Sequence, residues 1–392
     1  MTGGPWLVRI FGHDRPRLTH ELLSLLDEQG AVLEDMEQLV VRERLTLDVL
    51  VRLDGFDGDI PTTLRLLTDW GSGHGLSVTA SLVESRSSRA ELPRHAVTVL
   101  GERLSAGGLA AVTEAIARSG GNIDRIVRLA TKPVIAYDFA VIVDDPDAMR
   151  RSLMEVAHDH RLDIAVQAGG LERRAKRLVV MDVDSTLIAD EVIELLADEA
   201  GVGARVAEIT ARAMAGELDF EGSLRERVRL LAGLDAAAIE RARRRIRLTP
   251  GARTFVATLQ RLGAKVAIIS GGFTPFTDWL RSELDLDHAF ANTLELRDGV
   301  LTGEVLGRVV DRARKAELLA EIAAAEGIPL SQTVAIGDGA NDLDMLAAAG
   351  LGIAFNAKPL VRRQVGTTVS VPYLDAILFM LGLRGRDVDR SE

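Results

Sequence analysis

Three continuous apolar runs in the second half of the chain constrain its fold more than any other feature. They read RLVVMD, AKVAIISGG and TVAIGDG, and segments with helical periodicity separate them. Strands buried on both faces are continuously apolar, and they pair in parallel with helices covering both sides of the sheet. The runs therefore predict a doubly wound α/β domain, in which ligands bind beyond the carboxyl ends of the strands.

Each of these runs ends in residues that can bind a metal ion or a phosphate. The ends supply Asp182 and Asp184, then Ser270, Gly271 and Gly272, and finally Asp338, Asn341 and Asp342, while Lys315 stands near the start of a helix before the third run. Mg²⁺ prefers oxygen ligands and keeps several waters. Asp182, Asp338 and the backbone carbonyl of Asp184 therefore suit Mg²⁺, and we expect Asp342 to contribute to the same metal site.

The remaining polar groups suit a phosphoryl group. A phosphate monoester is a dianion, which resists attack by an anion unless positive charge and hydrogen-bond donors surround it. Ser270, the amides of the two glycines after it and Lys315 supply these. Asp182 can then attack phosphorus and form an aspartyl phosphate. Asp184 can protonate the leaving oxygen and afterwards activate the hydrolytic water.

Four features of the sequence resemble, in their order along the chain, the four motifs of the haloacid dehalogenase superfamily. They are the segments DVDST and SGG, then Lys315, and then the segment GDGANDLDM. Residues 178–385 resemble the phosphoserine phosphatases of that superfamily. The resemblance implies that Asp182 is the nucleophile and Asp184 the acid and base. A dehalogenase needs no acid at position 184, and the family's ATPases have threonine there, so Asp184 favours phosphatase chemistry.

A helix-rich insertion at about 190–249 lies where a lid over the site is expected. Its segments DEVIELLA and FEGSLRERV resemble the substrate-binding part of phosphoserine phosphatases. That resemblance implies that Glu191 lies near the substrate amino group and that Arg227 binds its carboxylate, which suits a zwitterion because it needs one charge of each sign. We also assign Phe220 and Asn341 to substrate binding.

The first 170 residues read as two copies of one unit, strand, helix, two strands, helix and strand. Leu18 matches Leu109 and Gly30 matches Gly121 at the same separation, which indicates an internal duplication. The order βαββαβ is the ferredoxin-like arrangement. Such a unit has one open sheet face, so we expect self-association as a homodimer.

The segment GHDRPRL resembles the first turn of ACT domains, with Arg17 in place of the usual glycine, and the second copy reads GERLSAGGL. The resemblance implies binding of an amino acid and pairing of the domains. We expect L-serine as the effector. Its expected contacts are Gly12 and Asp14 or Gly107 and Gly108, together with Asn122.

Composition narrows the partners and the compartment. The net charge of −11 excludes a basic field that would hold nucleic acid or an anionic membrane. The absence of cysteine excludes thiol chemistry and suits a reducing cytoplasm. The first residues lack the pattern of an export signal, and no apolar run is long enough to span a membrane. We therefore expect a cytoplasmic protein that binds neither nucleic acid nor membrane.

These patterns predict three domains and an activity. We expect an ACT-like domain at 1–88, a second at 89–172, and a haloacid dehalogenase-like domain with a helical cap at 173–392, with the basic segment ERRAKR as the linker. The expected activity is magnesium-dependent hydrolysis of O-phospho-L-serine, the last step of serine biosynthesis. Two alternatives are a phosphotransferase or phosphatase for another small phosphomonoester, and an amino-acid sensor with a vestigial catalytic domain.

Overall fold

The computed structural model describes residues 4–52, 60–83, 94–170, 173, 175–214 and 217–388. The chain forms two compact units, Met1–Glu91 and Leu92–Glu392. None of the helices within the described ranges is long and apolar enough to cross a membrane.

The first copy of the duplicated unit makes up the smaller compact unit. Its elements are β1 (Trp6–His13), α1 (Leu18–Glu28), β2 (Val32–Val41), β3 (Arg44–Arg52), α2 (Ile60–Gly73) and β4 (Ser77–Leu82). The antiparallel sheet has the order β2-β3-β1-β4. Alternate residues such as Val8, Ile10 and Leu47 are buried and pack with Leu22 of α1, as expected for a sheet with helices on one face.

The turn before α1 departs from what its sequence favours. Arg17 precedes the helix with φ 78°, in the left-handed region that favours glycine. This is the position at which Arg17 replaces the glycine usual in ACT domains. Gly12 has a packing reason instead, because a Cβ on Gly12 would lie 2.4 Å from Leu76 Cδ2.

The second copy repeats the same order. Its elements are β5 (Arg94–Gly101), α3 (Ala106–Arg118), β6 (Asn122–Ala130), β7 (Ile135–Ile142), α4 (Pro146–His160) and β8 (Asp163–Ala168). The sheet order is β6-β7-β5-β8, with the strands antiparallel. Both copies therefore confirm the ferredoxin-like βαββαβ prediction.

The α/β domain follows the second copy, and its strands confirm the predicted doubly wound sheet. They are β9 (Leu178–Met181), β10 (Lys265–Phe273), β11 (His288–Arg297), β12 (Val300–Leu306), β13 (Thr333–Gly337), β14 (Leu351–Phe355) and β15 (Thr368–Val369). The sheet order is β12-β11-β10-β9-β13-β14-β15. Neighbouring strands pair in parallel except β12, which forms an antiparallel hairpin with β11 around Asp298 and Gly299.

Helices cover both faces of this sheet. The insertion after β9 contains α5 (Val192–Glu199), α6 (Gly203–Met214), α7 (Phe220–Arg229) and α8 (Ala237–Arg243). The other helices are α9 (Ala252–Arg261), α10 (Thr274–Leu284), α11 (Arg312–Ala325), α12 (Leu343–Ala348), α13 (Pro359–Gln364) and α14 (Ile377–Met380). The insertion is therefore helical, as its sequence predicts.

The sheet face of the second copy is not open, contrary to the expectation that both sheet faces are free for self-association. Leu100, Ala136 and Ala165 on this face belong to the same apolar cluster as Leu374 and Phe379 of the α/β domain. Small alanines let the two layers approach, and burial of apolar area stabilises the contact. The second copy and the α/β domain thus share one core.

The predicted linker also has a structural role. Within ERRAKR, the Arg173 side chain is only 9% exposed. Its two Nη atoms donate to Asp138 of the second copy at 2.9 and 2.8 Å, and Nη2 also donates to Thr98. A Cβ on Gly382 would lie 3.2 Å from Arg173 Cζ, so the guanidinium lies against the C-terminal segment. The segment is therefore more than a solvated connection.

Candidate active site

The sheet order brings the three polar strand ends together. β9 is central, with β10 on one side and β13 on the other, all three parallel. Their carboxyl ends meet at one edge of the sheet, which is where open α/β sheets bind ligands. The motifs that lie far apart in sequence therefore form one site.

The turn after β9 positions the first two carboxylates. Asp182 is 4% exposed, and its Oδ1 accepts a hydrogen bond from Val183 N at 2.7 Å. Asp184 Oδ1 accepts from Val192 N at 3.0 Å, at the start of α5. Between the two, Ser185 has φ 57°, which turns the chain away from the strand direction. Backbone amides of Val183 and Val192 thus hold the two carboxylates in place.

The end of β10 lies against both Asp184 and the insertion. Gly272 N donates to Ser270 Oγ at 2.7 Å. A Cβ on Gly272 would lie 3.0 Å from Asp184 Oδ2, and a Cβ on Gly271 would lie 3.0 Å from Phe220 Cζ. Glycine at both positions therefore permits this close approach.

Lys315 connects the first and the last motif. It is fully buried in α11, and its Nζ lies 2.8 Å from Asp182 Oδ1 and 2.7 Å from Asp342 Oδ1. Burial alone would lower the pKa of Lys315, but the carboxylates of Asp182 and Asp342 outweigh it and raise the pKa. Lys315 therefore stays charged. Asp342 Oδ2 accepts from Gly339 N at 2.9 Å, so this aspartate also ties down the loop after β13.

The site holds more negative than positive charge. Burial and the neighbouring Asp342 raise the pKa of Asp182. Burial, with Glu191 as the next cause, raises the pKa of Asp184 to about 7. Burial and Asp342 likewise raise the pKa of Asp338 to about 7. Such repulsion between buried carboxylates is what a bound cation relieves.

The arrangement of these carboxylates fits a divalent cation. Asp182, Asp338 and Asp342 each offer one oxygen, and these oxygens lie within 4.8 Å of one another. An all-oxygen donor set is the chemistry that Mg²⁺ prefers. The Asp184 carboxylate is not in this group, and the prediction for Asp184 concerns its backbone carbonyl.

The insertion brings the predicted substrate residues to the same site. Glu191 Oε1 accepts from Ser185 Oγ at 2.9 Å. Burial lowers the pKa of the Arg227 guanidinium, while the negative charges of Glu191 and Asp184 act in the opposite direction, which places Arg227 near both. Phe220 lies over Gly271, as described above. One positive and one negative side chain of the insertion therefore lie close to Asp184.

For Asn341 and the predicted regulatory residues, the structure shows contacts within their own loops and turns. A Cβ on Gly339 would lie 2.1 Å from Asn341 Oδ1, so the Asn341 side chain folds over its own loop. Gly12 is the next-to-last residue of β1, and Asp14 N donates to Glu43 O at 2.8 Å. Gly107 and Gly108 lie in the first turn of α3, where Gly108 N donates to Ser105 Oγ, and Asn122 begins β6. The ligand contacts assigned to these residues stay predictions.

Three residues of the site are absent from the sequence-based predictions. Ser185 holds Glu191, and Thr186 Oγ1 donates to Asp338 Oδ1 at 3.3 Å. Asn292 is 1% exposed; its Nδ2 donates to Gly271 O, and its Oδ1 accepts from Val310 N, both at 2.8 Å. Asn292 lies in the middle of β11, opposite Phe273 at the carboxyl end of β10, and no local pattern in the sequence indicates this role.

Comparison with known families agrees with this architecture. A family model for haloacid dehalogenase-like hydrolases matches residues 179–347. Two ACT domain models match residues 5–80 and 93–167. The matches correspond to the α/β domain and to the two copies of the duplicated unit.

Curated proteins match nearly the whole chain. A phosphoserine phosphatase of Streptomyces coelicolor is 52% identical over 98% of this chain and 94% of its own. Phosphoserine phosphatase SerB2 of Mycobacterium tuberculosis is 44% identical over 98% of this chain and 95% of its own. A solved structure of a phospho-aspartyl intermediate analogue of phosphoserine phosphatase is 45% identical, with a TM-score of 0.50 over 52% of this chain and 98% of that chain. The chain therefore belongs to the phosphoserine phosphatase family of haloacid dehalogenase-like hydrolases.

Proposed function

We propose that this chain hydrolyses O-phospho-L-serine to L-serine and phosphate, the last step of serine biosynthesis. The observation that carries the proposal is the buried contact of Lys315 Nζ with Asp182 at 2.8 Å, beside Asp184 and the glycines of β10. A complete set of this kind argues against a sensor with a vestigial catalytic domain.

Asp182 is the nucleophile in this proposal. One of its oxygens attacks phosphorus while the bond to the serine oxygen breaks, and an aspartyl phosphate forms. Lys315 offsets part of the negative charge of the site at this point, and Ser270 with the amides of Gly271 and Gly272 binds the phosphoryl oxygens. Asp182, Asp338 and Asp342, with the backbone carbonyl of Asp184, would hold Mg²⁺, which supplies charge neutralisation of the phosphoryl group when it is bound.

Asp184 transfers the protons. Its Oδ1 is fixed by Val192 N at 3.0 Å, which leaves Oδ2, beside Gly272, to give a proton to the leaving serine oxygen. The same oxygen then takes a proton from the water that attacks the aspartyl phosphate, so the carboxyl group ends the cycle as it began.

Charge complementarity supports the choice of substrate. Arg227 binds the carboxylate of phosphoserine and Glu191 its ammonium group, with Glu191 oriented by Ser185. Phe220 and Asn341 complete the contacts. A phosphomonoester without a carboxylate and an ammonium group lacks both charged interactions, so it should bind more weakly.

The N-terminal half supplies assembly and regulation in this proposal. We assign the domains to 1–88, 89–172 and 173–392, a cytoplasmic location and a homodimer that pairs through the first copy. L-serine binding near Gly12 and Asp14, or near Gly107, Gly108 and Asn122, would shift the enzyme toward a less active arrangement. The exposed apolar residues Phe11, Leu39 and Val41 of the first copy support its use in pairing.

Phosphate release tests the activity. We expect wild-type protein to release phosphate from phosphoserine when Mg²⁺ is present and to lose this activity with EDTA. Asp182→Asn should abolish turnover with an unchanged circular dichroism spectrum, because an amide cannot attack phosphorus. Near-normal turnover by Asp182→Asn would remove this residue from the nucleophile role.

A matched pair of arginine variants tests the substrate. Arg227→Ala should lower kcat/KM for phosphoserine at least about tenfold more than for p-nitrophenyl phosphate, since a charge-assisted hydrogen bond contributes about 1.5 to 3 kcal/mol. Arg229 lies on the same helix but is exposed, so Arg229→Ala is the control. Equal losses on both substrates would assign Arg227 to the structure of the lid instead.

A further inference from the structure

Two segments connect the helical insertion to the α/β domain. Residues 187–190, the entry segment, lead into α5, and residues 247–249, the return segment, lead back toward α9. Ile188 and Leu248 pair as an antiparallel bridge, and backbone hydrogen bonds of 2.9 and 3.0 Å lie on either side of this pair. The position of the entry segment therefore depends on that of the return segment.

The side chain of Asp190 adds a second link between the two segments. Its Oδ2 accepts from Arg247 N at 2.8 Å, and its Oδ1 accepts from Arg247 Nη2 at 2.6 Å and from Nε at 3.2 Å. The Asp190 side chain is 11% exposed, and that of Arg247 is 74% exposed. So open a pair contributes little to the free energy of unfolding, but a carboxylate bound by a backbone amide and by two guanidinium nitrogens has a fixed position.

Asp190 also contacts the active site through its backbone. Its carbonyl oxygen accepts from Ser185 N at 3.4 Å, and Ser185 Oγ donates to Glu191 Oε1 at 2.9 Å. Two residues after Asp190, Val192 donates its N–H to Asp184 Oδ1 at 3.0 Å. A shift of Asp190 would therefore displace both Glu191 and the amide that holds the carboxylate of Asp184.

We propose that Asp190 is a positioning residue for catalysis, which acts through its bonds to Arg247. These bonds hold the Val192 amide against Asp184 and keep Glu191 in place. Without them, Asp184 no longer presents Oδ2 to the leaving oxygen, and Glu191 no longer faces the ammonium group. Displacement of a catalytic group by about 1 Å can lower the rate about 100-fold. The inference rests on the proposed function, since Asp184 and Glu191 have these roles there.

A matched pair of aspartate variants tests the proposal in the full chain. Asp190→Ala removes all three hydrogen bonds to Arg247, and Asp198→Ala is the control. Asp198 accepts from Arg245 Nη2 at 2.7 Å, so the control also removes an aspartate bound to an arginine close to the return segment. Asp198 is 55% exposed and lies in α5 about two helical turns from Glu191. Circular dichroism checks the fold of both variants.

Hydrogen exchange tests the position of the entry segment without a substrate. Mass spectrometry follows peptides that contain the amides of Ala189 and Val192, which donate hydrogen bonds at 2.9 and 3.0 Å. We expect these amides to exchange at least about tenfold faster in Asp190→Ala than in wild type and in Asp198→Ala. Exchange at the wild-type rate in Asp190→Ala would overturn the proposal, whatever the substrate of the enzyme is.

Steady-state kinetics test the consequence for catalysis. We expect Asp190→Ala to lower kcat/KM for phosphoserine at least about tenfold, and that for p-nitrophenyl phosphate less than about threefold. p-Nitrophenolate leaves without a proton and its ester has no ammonium group, so its cleavage depends less on Asp184 and Glu191. The comparison uses kcat/KM because this quantity includes the step in which the leaving oxygen takes the proton. Equal losses on both substrates would indicate a purely structural role and contradict the proposal.

Arg247→Met covers the case in which Asp190→Ala does not fold. Arg247 is exposed, so its substitution leaves the core unchanged, and Asp190 keeps only the bond to the backbone amide of residue 247. We expect kcat/KM for phosphoserine to be about threefold lower in Arg247→Met than in Arg245→Met, its control, with p-nitrophenyl phosphate unaffected. Equal values of kcat/KM for phosphoserine in the two variants would contradict the proposal.

The same measurements separate this proposal from the proposed function. Wild-type protein that hydrolyses p-nitrophenyl phosphate but not phosphoserine would overturn the proposed function. The exchange rates of Ala189 and Val192 in Asp190→Ala would then still support or overturn the positioning role of Asp190, because they are measured without a substrate.

Discussion

The two copies of the βαββαβ unit share one topology but use the same sheet position in different ways. Arg9 lies opposite Asp48 in the first copy, and Thr98 lies opposite Asp138 at the equivalent place in the second. Arg9 Nε and Nη2 donate to Asp48 at 2.8 and 2.7 Å, so the first copy supplies both charges itself. In the second copy the arginine comes from the segment that leads into the α/β domain.

The sheet faces of the two copies also differ in how far they are buried. Phe11 of the first copy is 50% exposed, and Leu100, at the equivalent position of the second copy, is fully buried. Ala136 and Ala165 lie beside Leu100 and let the C-terminal segment pack closely. The shared fold thus gives both copies the same sheet face, and a few side chains on that face determine whether another segment packs against it.

The largest expected effect comes from truncating the covered face. Leu100→Ala should lower the free energy of unfolding by about 3 kcal/mol, because a buried leucine leaves a cavity. Phe11→Ala should change it by less than about 1 kcal/mol at a concentration at which the protein is monomeric. Urea denaturation of both variants measures the difference. Equal losses would mean that the first copy's sheet face is covered too.

The ion pairs of the two copies should differ in the same way when the carboxylate of each is removed, because only the pair of the second copy is buried. Asp138→Ala leaves the buried Arg173 guanidinium without its carboxylate, and we expect a loss of about 3 kcal/mol. Asp48→Ala removes the partner of Arg9, which is half-exposed, and we expect a loss below about 1 kcal/mol. Thermal unfolding by calorimetry compares the two variants, and a larger loss from Asp48→Ala would reverse this interpretation.

The stability of the contact between the second copy and the α/β domain should also depend on pH. Burial raises the pKa of Asp163 from 3.8 to about 6, although its Oδ2 accepts from Ser370 N at 2.7 Å. A carboxyl with a raised pKa in the folded state favours folding at low pH, and that contribution is lost as the pH rises through about 6. Asp163→Asn should therefore be more stable than wild type at pH 8, on the order of 2 kcal/mol.

This advantage of Asp163→Asn should shrink as the pH falls below 6 and disappear near pH 4, where the wild-type carboxyl is protonated in both states. Urea midpoints at several pH values measure it. A gain that does not vary with pH would assign the effect to packing rather than to ionisation.

The smallest expected effect concerns the first turn of the first copy. Arg17 has φ 78°, which costs about 1 kcal/mol for a residue with a Cβ. Glycine removes this cost but adds entropy to the unfolded chain, so Arg17→Gly should gain only about 0.5 kcal/mol. In a Trp279→Phe background, the fluorescence of Trp6 and Trp70 reports on the first copy alone. A loss of stability would show that the Arg17 side chain contributes packing.

The sequence alone determined the elements whose patterns are local. Continuous apolar runs predicted the parallel strands, alternation and duplication predicted both βαββαβ units, and the order of the motifs predicted that Asp182, Lys315 and Asp338 meet. Each of these rests on residues close in sequence, or on the rule that parallel strands carry their carboxyl ends to one edge.

Only the tertiary structure decided which surfaces pair and which lone polar residues matter. Nothing local distinguishes Arg173 from other residues of a basic linker, or Asn292 from any asparagine in a strand, because their partners Asp138 and Gly271 are distant in sequence. The same holds for the C-terminal segment that covers Leu100. Such contacts depend on how whole layers pack, and packing selects among surfaces that the local pattern leaves equivalent.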